Sequence, residues 1–214
     1  MKIFLTAFTA ALLFCGAFLL LESNASGARP VIARFEIDPA RSTFMVKARR
    51  GGLAWFKGHD HHIGVKDFGG HAELALDVLN PASLEMKVRS ESLEETSDTF
   101  TPQQKGIINK ELDEIVLEAA KYPEISFRST DVRGELKNGK FEVKIGGELT
   151  LHGVTRRVTI PATVSVEGDS MRAQGEFELD RSDFNVKATS AFHGMVRVQD
   201  ELKFNFDIVG RRVQ

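Results

Sequence analysis

His59-Asp60-His61-His62 is the densest group of chemically versatile side chains in the sequence. On an extended strand His59 and His61 project from one face, about 6 to 7 Å apart along the chain, and His62 projects from the other. Two imidazoles so placed can hold a zinc or copper ion if a third ligand, such as His71 or His193, joins them. A neutral imidazole can equally donate a hydrogen bond to a carbonyl on a ligand headgroup, or the group can simply be a polar strand start. The sequence itself names no third ligand, so the three readings stand side by side. Other chemistry lacks its parts. There is no Gly-x-Ser-x-Gly elbow and no glycine-rich phosphate loop, and the single cysteine is Cys15.

Composition narrows the setting in which those histidines work. The chain has 214 residues, 42% of them hydrophobic and 27% charged, which suits one globular domain with a sizeable core. Lys plus Arg number 28 against 30 Asp plus Glu, a net charge of -2. That balance, with no basic stripe, argues against a nucleic-acid binder. There are 16 Phe but 1 Tyr and 1 Trp. Phe has no polar handle, so these rings suit an apolar interior better than a sugar or nucleotide site.

The start of the chain reads as an address. Lys2 precedes an apolar run from Ile3 to Leu21, broken only by Thr6, Thr9 and Gly16, and Ser23-Asn24-Ala25 supplies small residues for a signal peptidase. The expected division is a signal peptide over 1–25, cleaved after Ala25, and one domain over 26–214. An uncleaved membrane anchor is the rival, since the run nearly suffices to span a bilayer. Without the leader no cysteine remains, so stability rests on the core and not on disulfides.

The elements that must position the histidines are strands. Apolar and polar residues alternate in Phe44-Val46-Ala48 against Lys47 and Arg49, in Ala72-Leu74-Leu76-Val78 against Glu73 and Asp77, and in Leu84-Met86-Val88 against Lys87 and Arg89. The pattern recurs around Phe127, Phe141 to Ile145, Val158 to Val166, Phe177 and Leu202 to Ile208. Asn80-Pro81, Asn138-Gly139 and Glu167-Gly168-Asp169 punctuate it as turns. Connections this short make neighbouring strands antiparallel. One helix is expected over Thr101 to Tyr122, with Thr101 as cap, Pro102 at the first position and Pro123 as stop. Its face carries Ile108, Leu112, Ile115, Val116 and Ala119. About eight strands with one apolar face each predict an all-β closed barrel with one inserted helix; a sandwich is the runner-up.

Three segments narrow this further: Tyr122-Pro123-Glu124-Ile125-Ser126-Phe127, Gly147-Glu148-Leu149-Thr150-Leu151-His152-Gly153-Val154-Thr155, and Asp180-Arg181-Ser182-Asp183-Phe184. In this order, after the opening Phe35-Glu36-Ile37-Asp38-Pro39, they resemble the YceI-like family of periplasmic polyisoprenoid-binding proteins from about Arg34 onward. The resemblance implies an antiparallel, lipocalin-like eight-stranded β-barrel with a helical insertion, a periplasmic location, and binding without catalysis. It implies that an isoprenoid lipid, quinone-like or polyprenyl, is both ligand and partner, with no further cofactor. Such a carrier is compatible with a transient contact with a membrane surface and with a dimer. Two features depart from the family pattern. Asn185 stands where many members have Gly, and Gly106 to Ile115 replaces the familiar stretch before Tyr122-Pro123.

On this reading the ligand-facing set is Phe44, Val46, Leu74, Leu76, Met86, Val88, Phe127 and Phe177 on strands, Ile108 on the helix, and Phe184 in the Asp-Arg-Ser-Asp-Phe segment. Trp55 and Phe56, after Gly51-Gly52, are placed to cover the ligand at the rim. His59 and His61 are the headgroup or metal candidates. At about 0.8 kcal/mol per buried methylene, two or three isoprene units nominally gain on the order of 10 kcal/mol, part of which ordering costs offset. His152 reads as a side chain that ties down its hairpin, and Arg181 and Asp183 as side chains that pair or bond to backbone at a barrel corner.

Overall fold

Residues 30–188, 190–191 and 195–213 are described by a computed structural model. The leader with its Ala25 cleavage point, and His193, lie outside the described residues. The strands are β1 (Ile32–Ile37), β2 (Thr43–Gly51), β3 (His61–Val65), β4 (Phe68–Ala75), β5 (Leu79–Arg89), β6 (Leu93–Glu95), β7 (Glu124–Lys137), β8 (Lys140–Leu151), β9 (Val154–Glu167), β10 (Ser170–Asp180), β11 (Ser190–Ala191) and β12 (Val196–Val213). Helix α1 (Pro102–Glu111) is inserted between β6 and β7.

These segments form eight arms, because three arms are broken by kinks. β1 and β2 lie end to end along β12: Gly210 to Val213 pair with β1, and Arg197 to Asp207 pair with β2. At the kink Ser42 Oγ donates to the Asp38 carbonyl at 2.7 Å and accepts the Val209 N–H at 2.9 Å, so the ladder stays satisfied where the strand turns. β3 continues into β4, and β5 continues through Ser90–Ser92 into β6. Around the ring the order is β1, β4, β5, β7, β8, β9, β10, β12 and back to β1, every pairing antiparallel. This is a closed barrel in which each arm pairs with its neighbours in sequence, and closure leaves no sheet edge around that ring.

The hairpins follow from their turn residues. Asn138 and Gly139 have φ of 52° and 77°, and His152 and Gly153 have φ of 51° and 74°. Two successive left-handed residues give the turn whose twist matches a right-handed strand pair. In the second hairpin the ring of Tyr122 packs on the turn, 4.4 Å from the His152 ring, while His152 Nε2 bonds to Glu118 Oε2 at 2.8 Å. His152 is buried and does tie its hairpin to the helical insertion.

Two expectations need correction. β4 ends at Ala75, which pairs with Leu79 across a turn, so the alternation through Leu76 and Val78 continues past the strand that produced it. Val78 is exposed, Leu76 packs against the barrel core, and Asn80-Pro81 lies inside β5. The helix is shorter than Thr101 to Tyr122. It begins as expected, with Thr101 Oγ1 accepting the Gln104 N–H and Gln104 Oε1 accepting the Thr101 N–H. After Glu111 the chain widens into a turn over Leu112–Val116, closed by Leu117 N–H to Leu112 O at 2.9 Å. Glu118, at φ 46°, then reverses it, and Ile115 faces solvent. At the corner Arg181 bonds to backbone, one of its two expected roles, and not to Asp183. It donates to the Val186 carbonyl at 2.8 Å and pairs with Asp200 at 3.6 Å, while the Asp183 carbonyl accepts from Arg156. Asn185 adopts φ 56°, the left-handed geometry that Asn tolerates in place of Gly.

Two predictions follow from the wall and its turns. Gly139→Ala adds only left-handed strain, about 1 to 2 kcal/mol, because nothing stands within 4 Å of the new Cβ. Gly153→Ala adds the same strain and sets Cβ 2.6 Å from the Tyr122 ring, so urea unfolding shows a clearly larger loss for Gly153→Ala. Equal losses would contradict the packed turn. On the outer face Arg172 binds Asp207 through Nε at 2.7 Å and Gln174 adds a bond at 2.9 Å. The Arg172 bonds hold the Asp207 carboxyl below its ordinary range, against a smaller opposing effect of burial. A depressed folded value stabilises above the unfolded value of about 3.9, and the gain is lost as pH falls through the folded value. Asp207→Asn is therefore less stable than the wild type near about pH 6, and the gap narrows toward about pH 3 in urea titrations.

Candidate functional site

The barrel encloses a cavity of about 560 Å³, within the range of roughly 300 to 1,000 Å³ that holds a drug-sized ligand. Its wall is built by period-two alternation: Phe44, Val46, Ala48 and Arg50 from β2; Val143, Ile145, Leu149 and Leu151 from β8; Met171, Ala173, Phe177 and Leu179 from β10; Val198, Leu202, Phe204, Phe206 and Ile208 from β12. Phe177 stacks on Phe204 at 4.7 Å, and Phe204 in turn meets Phe44 at 6.4 Å, so a file of rings runs across three adjacent strands. Phe35, Leu79, Phe141 and Met171, all buried, fill the end where the β4–β5, β7–β8 and β9–β10 turns gather.

The other end carries the polar groups. There β2 ends and β3 and β12 begin, and Arg50, Lys57, Gly58, His59, His61, Phe100, Lys187 and Arg197 line the cavity. Ile108, Glu111 and Leu112 close part of this end from the helical insertion. The insertion is held in place by Asn109 Oδ1, which accepts the Glu95 N–H at 2.7 Å, and by Lys105 Nζ, which donates to the Thr96 carbonyl at 3.2 Å.

Beneath His61 lies Glu95, whose side chain is fully buried. Its carboxylate accepts the backbone N–H groups of His62 at 3.2 Å and Ser97 at 2.8 Å, and meets His61 Nδ1 at 2.8 Å. A buried carboxylate with three donors is satisfied, and it fixes the proton of a neutral His61 on Nδ1. His61 Nε2 then remains as the ring nitrogen without a hydrogen-bond partner among the described residues. The His61 ring stacks on Phe100 at 5.3 Å, and His59 meets the same ring edge-on at 5.6 Å. Asp60 lies beside them. Burial raises its carboxyl, but the Arg50 N–H, Lys47 and the Arg50 guanidinium together hold it below the usual range.

Of the residues expected to face a ligand, Phe44, Val46, Leu74, Met86, Val88, Ile108, Phe127 and Phe177 line the cavity, as do His59 and His61. Four do not. Trp55 and Phe56 stand on an exposed turn outside the wall, and Leu76 belongs to the β4–β5 turn. Phe184 is only 1% exposed, locked into the packing of the corner that Arg181 holds, with no face to the cavity. No third ligand joins His59 and His61 into a metal centre among the described residues; His71 lies farther along the same arm, opposite Glu36 and Glu85. Sequence reasoning missed Glu95 and Arg50. Both carried a signal: Glu95 shares the parity of Leu93, and Arg50 continues the file Phe44, Val46, Ala48.

Fold and site together define a lipocalin-like binding barrel, closed by its strands around an apolar cavity with one polar mouth. The chain belongs to the YceI-like family, whose domain spans residues 35–210. It is 33% identical to protein YceI of Escherichia coli O6:H1 over 174 residues, which cover 76% of this chain and 81% of that protein. It is 34% identical to a UPF0312 protein of Pseudomonas fluorescens over 132 residues, covering 56% and 61%. In fold it is similar to BcnA of Burkholderia cenocepacia, with a TM-score of 0.63 at 22% identity, over 81% of this chain and 98% of that one. A polyisoprenoid binding domain from Saccharophagus degradans gives a TM-score of 0.58 at 10% identity, over 86% and 100%.

The brace under His61 is testable. Glu95→Ala strands three buried or half-buried donors and lowers stability by about 3 kcal/mol in urea unfolding. Glu95→Gln costs less, because its Oε1 still serves the two backbone N–H groups. Its amide then faces Nδ1, and nitrogen NMR shows the His61 proton moving to Nε2. An unchanged tautomer would refute the brace.

Proposed function

We propose that the protein is an exported, periplasmic binding protein that holds the isoprenoid tail of a quinone-like or polyprenyl lipid inside its barrel and carries it without chemical change. The observation that carries this reading is the continuous apolar cavity, filled at one end and open at the other. A tail entering at the mouth meets mainly hydrocarbon and phenyl surface along the barrel, so shape and apolar contact supply the affinity. The headgroup stops at the mouth, where His61 Nε2, with the ring proton on Nδ1, can accept a hydrogen bond from a hydroxyl and His59 can donate one to a carbonyl. The polyisoprenoid binding domain of Saccharophagus degradans, a structural neighbour, supports the ligand class. Binding is favoured over catalysis because the one buried carboxylate at the mouth is already engaged by two backbone N–H groups and His61.

Mass spectrometry of lipid extracted from protein purified out of its native host is expected to recover an isoprenoid in near-stoichiometric amount. Ala162→Leu with Ala173→Leu, both on the cavity wall, fills part of the space. The double variant is expected to fold but to lose most of the lipid. Recovery of empty wild-type protein, with no displacement of an apolar fluorescent dye by added quinones or polyprenols, would overturn the proposal. Trp55 is not a suitable quenching probe for the cavity, since it stands outside the wall.

A further inference from the structure

The turn between β2 and β3 presents apolar side chains to solvent with no intramolecular use. Leu53 is 90% exposed, Phe56 65% and Trp55 55%, and Met195 beside them is 47% exposed. They are contiguous: the Ala54 N–H donates to the Met195 carbonyl at 2.9 Å, and the Trp55 and Phe56 rings meet at 6.4 Å. They are also held on a defined turn, with Lys57 N–H bonded to Ala54 O and Gly58 N–H to Trp55 O. Other exposed large apolar residues lie away from this patch, Val31, Ile32, Val78 and Leu136 at the filled end of the barrel and Ile107 and Ile115 on the helical insertion. A single exposed Leu needs no explanation, whereas a clustered Leu-Trp-Phe-Met patch does.

Charge identifies what the patch fits. The Arg50 guanidinium lies 5.6 Å from the Trp55 ring, Lys57 follows Phe56, and Lys187 and Arg197 share the mouth. Neither the Lys187 nor the Arg197 side chain makes a hydrogen bond or ion pair among the described residues. Of the carboxylates of this quarter, Asp60 is held by Lys47 and Arg50, Asp200 by Arg181 and Ser182, and Glu201 by Arg49, while Glu111 of the helical insertion stands opposite without an ion pair among the described residues. The region is therefore cationic on a chain whose net charge is -2. Trp and Phe on the rim of a mouth that also carries Lys187 and Arg197 match the interface of an anionic bilayer, where rings sit at headgroup level and cations meet lipid phosphates.

We infer that the Leu53–Phe56 turn, with Met195, Lys187 and Arg197, docks on an anionic phospholipid bilayer and sets the cavity mouth against it. Lys57 and Gly58 belong both to this turn and to the cavity lining, so docking places the opening at the membrane surface. The inference does not depend on the cavity holding an isoprenoid.

Because the barrel core is complete within the described residues, the test uses the chain from Ser26 onward, free of the apolar leader. Trp55 is the only tryptophan, so its emission reports the patch directly. With phosphatidylglycerol-containing vesicles the emission is expected to shift to the blue and the protein to co-sediment. Pure phosphatidylcholine vesicles and high salt should weaken both effects. Leu53→Ser with Phe56→Ser is expected to weaken co-sedimentation at least about tenfold, from the apolar burial lost. Lys187→Glu with Arg197→Glu should do the same, with thermal unfolding unchanged in both variants and displacement of the apolar dye unchanged in the Leu53, Phe56 variant, whose residues lie outside the cavity lining. Unshifted Trp55 emission without co-sedimentation would overturn the inference, as would binding that survives both variants. Self-association that Phe56→Ser abolishes, with no vesicle binding, would assign the patch to a second copy of the chain and overturn it as well.

Discussion

The structure depends on the way β12 closes the ring. One edge of this strand runs along β10 and the short β11, and the other accepts β2 and then β1, so a single 18-residue segment satisfies the backbone groups of four partners. Closure matters because it moves the burden of holding the wall from core packing to the ladder. An ordinary domain fills its interior at crystal-like density. Here about 560 Å³ is left among the side chains. At roughly 24 cal/mol per Å³, a dry void of that size would forgo about 13 kcal/mol of packing, comparable to a whole domain's stability. An open mouth lets water or an amphiphile in and removes most of that cost. The cavity is tolerable only because the barrel has one filled end and one open end.

The two ends follow from side-chain chemistry as well as from topology. Where the tight hairpins gather, Phe35, Leu79, Phe141 and Met171 meet and exclude solvent. The opposite end has long connections, and long connections bring polar groups that must be satisfied. Glu95 shows how. Its carboxylate serves two N–H groups of its own neighbourhood and one imidazole, and its backbone N–H is taken by Asn109 of the helix. The helical insertion, the histidines and the mouth of the cavity are thus joined through one buried acid. A change in the insertion reaches His61 at the mouth through Glu95, which explains how a helix that buries no residue of its own can still shape the entrance.

Much of this was legible in the sequence where a local rule acts alone. Period-two alternation identified the wall at Phe44, Val46, Met86, Val88 and Phe177, and Asn138-Gly139 identified its hairpin. The rules fail where tertiary pairing overrides the local pattern. Nothing local distinguishes Leu74, inside β4, from Leu76, just past it; only the return of β5 at Leu79 ends the strand. The helix pattern through Ile115 and Ala119 was real but gave no warning of Glu118, whose left-handed backbone serves the contact of its carboxylate with His152. Phe184 belongs to a corner whose burial depends on Arg181 reaching the Val186 carbonyl and Asp200, a long-range arrangement with no periodicity. Trp55 and Phe56 were expected to cover the ligand at the rim; they face outward because a three-residue turn after Gly52 gives them no depth to enter.

Arg50 ties these points together. It occupies the last inward position of β2, where the alternation that built an apolar wall would put a cation into hydrocarbon. A guanidinium there would be costly unless hydrogen-bonded. Its donor reaches the Gly58 carbonyl at 2.9 Å, its backbone N–H binds Asp60, and its planar face lies toward Trp55. The residue thus ends the apolar file and supplies its charge to the mouth. It also sets the β2–β3 turn, because holding Gly58 from within leaves Leu53, Trp55 and Phe56 on the outer side. The same contact that seals the top of the wall leaves the aromatic patch exposed, so the polar mouth and the greasy rim share one physical origin.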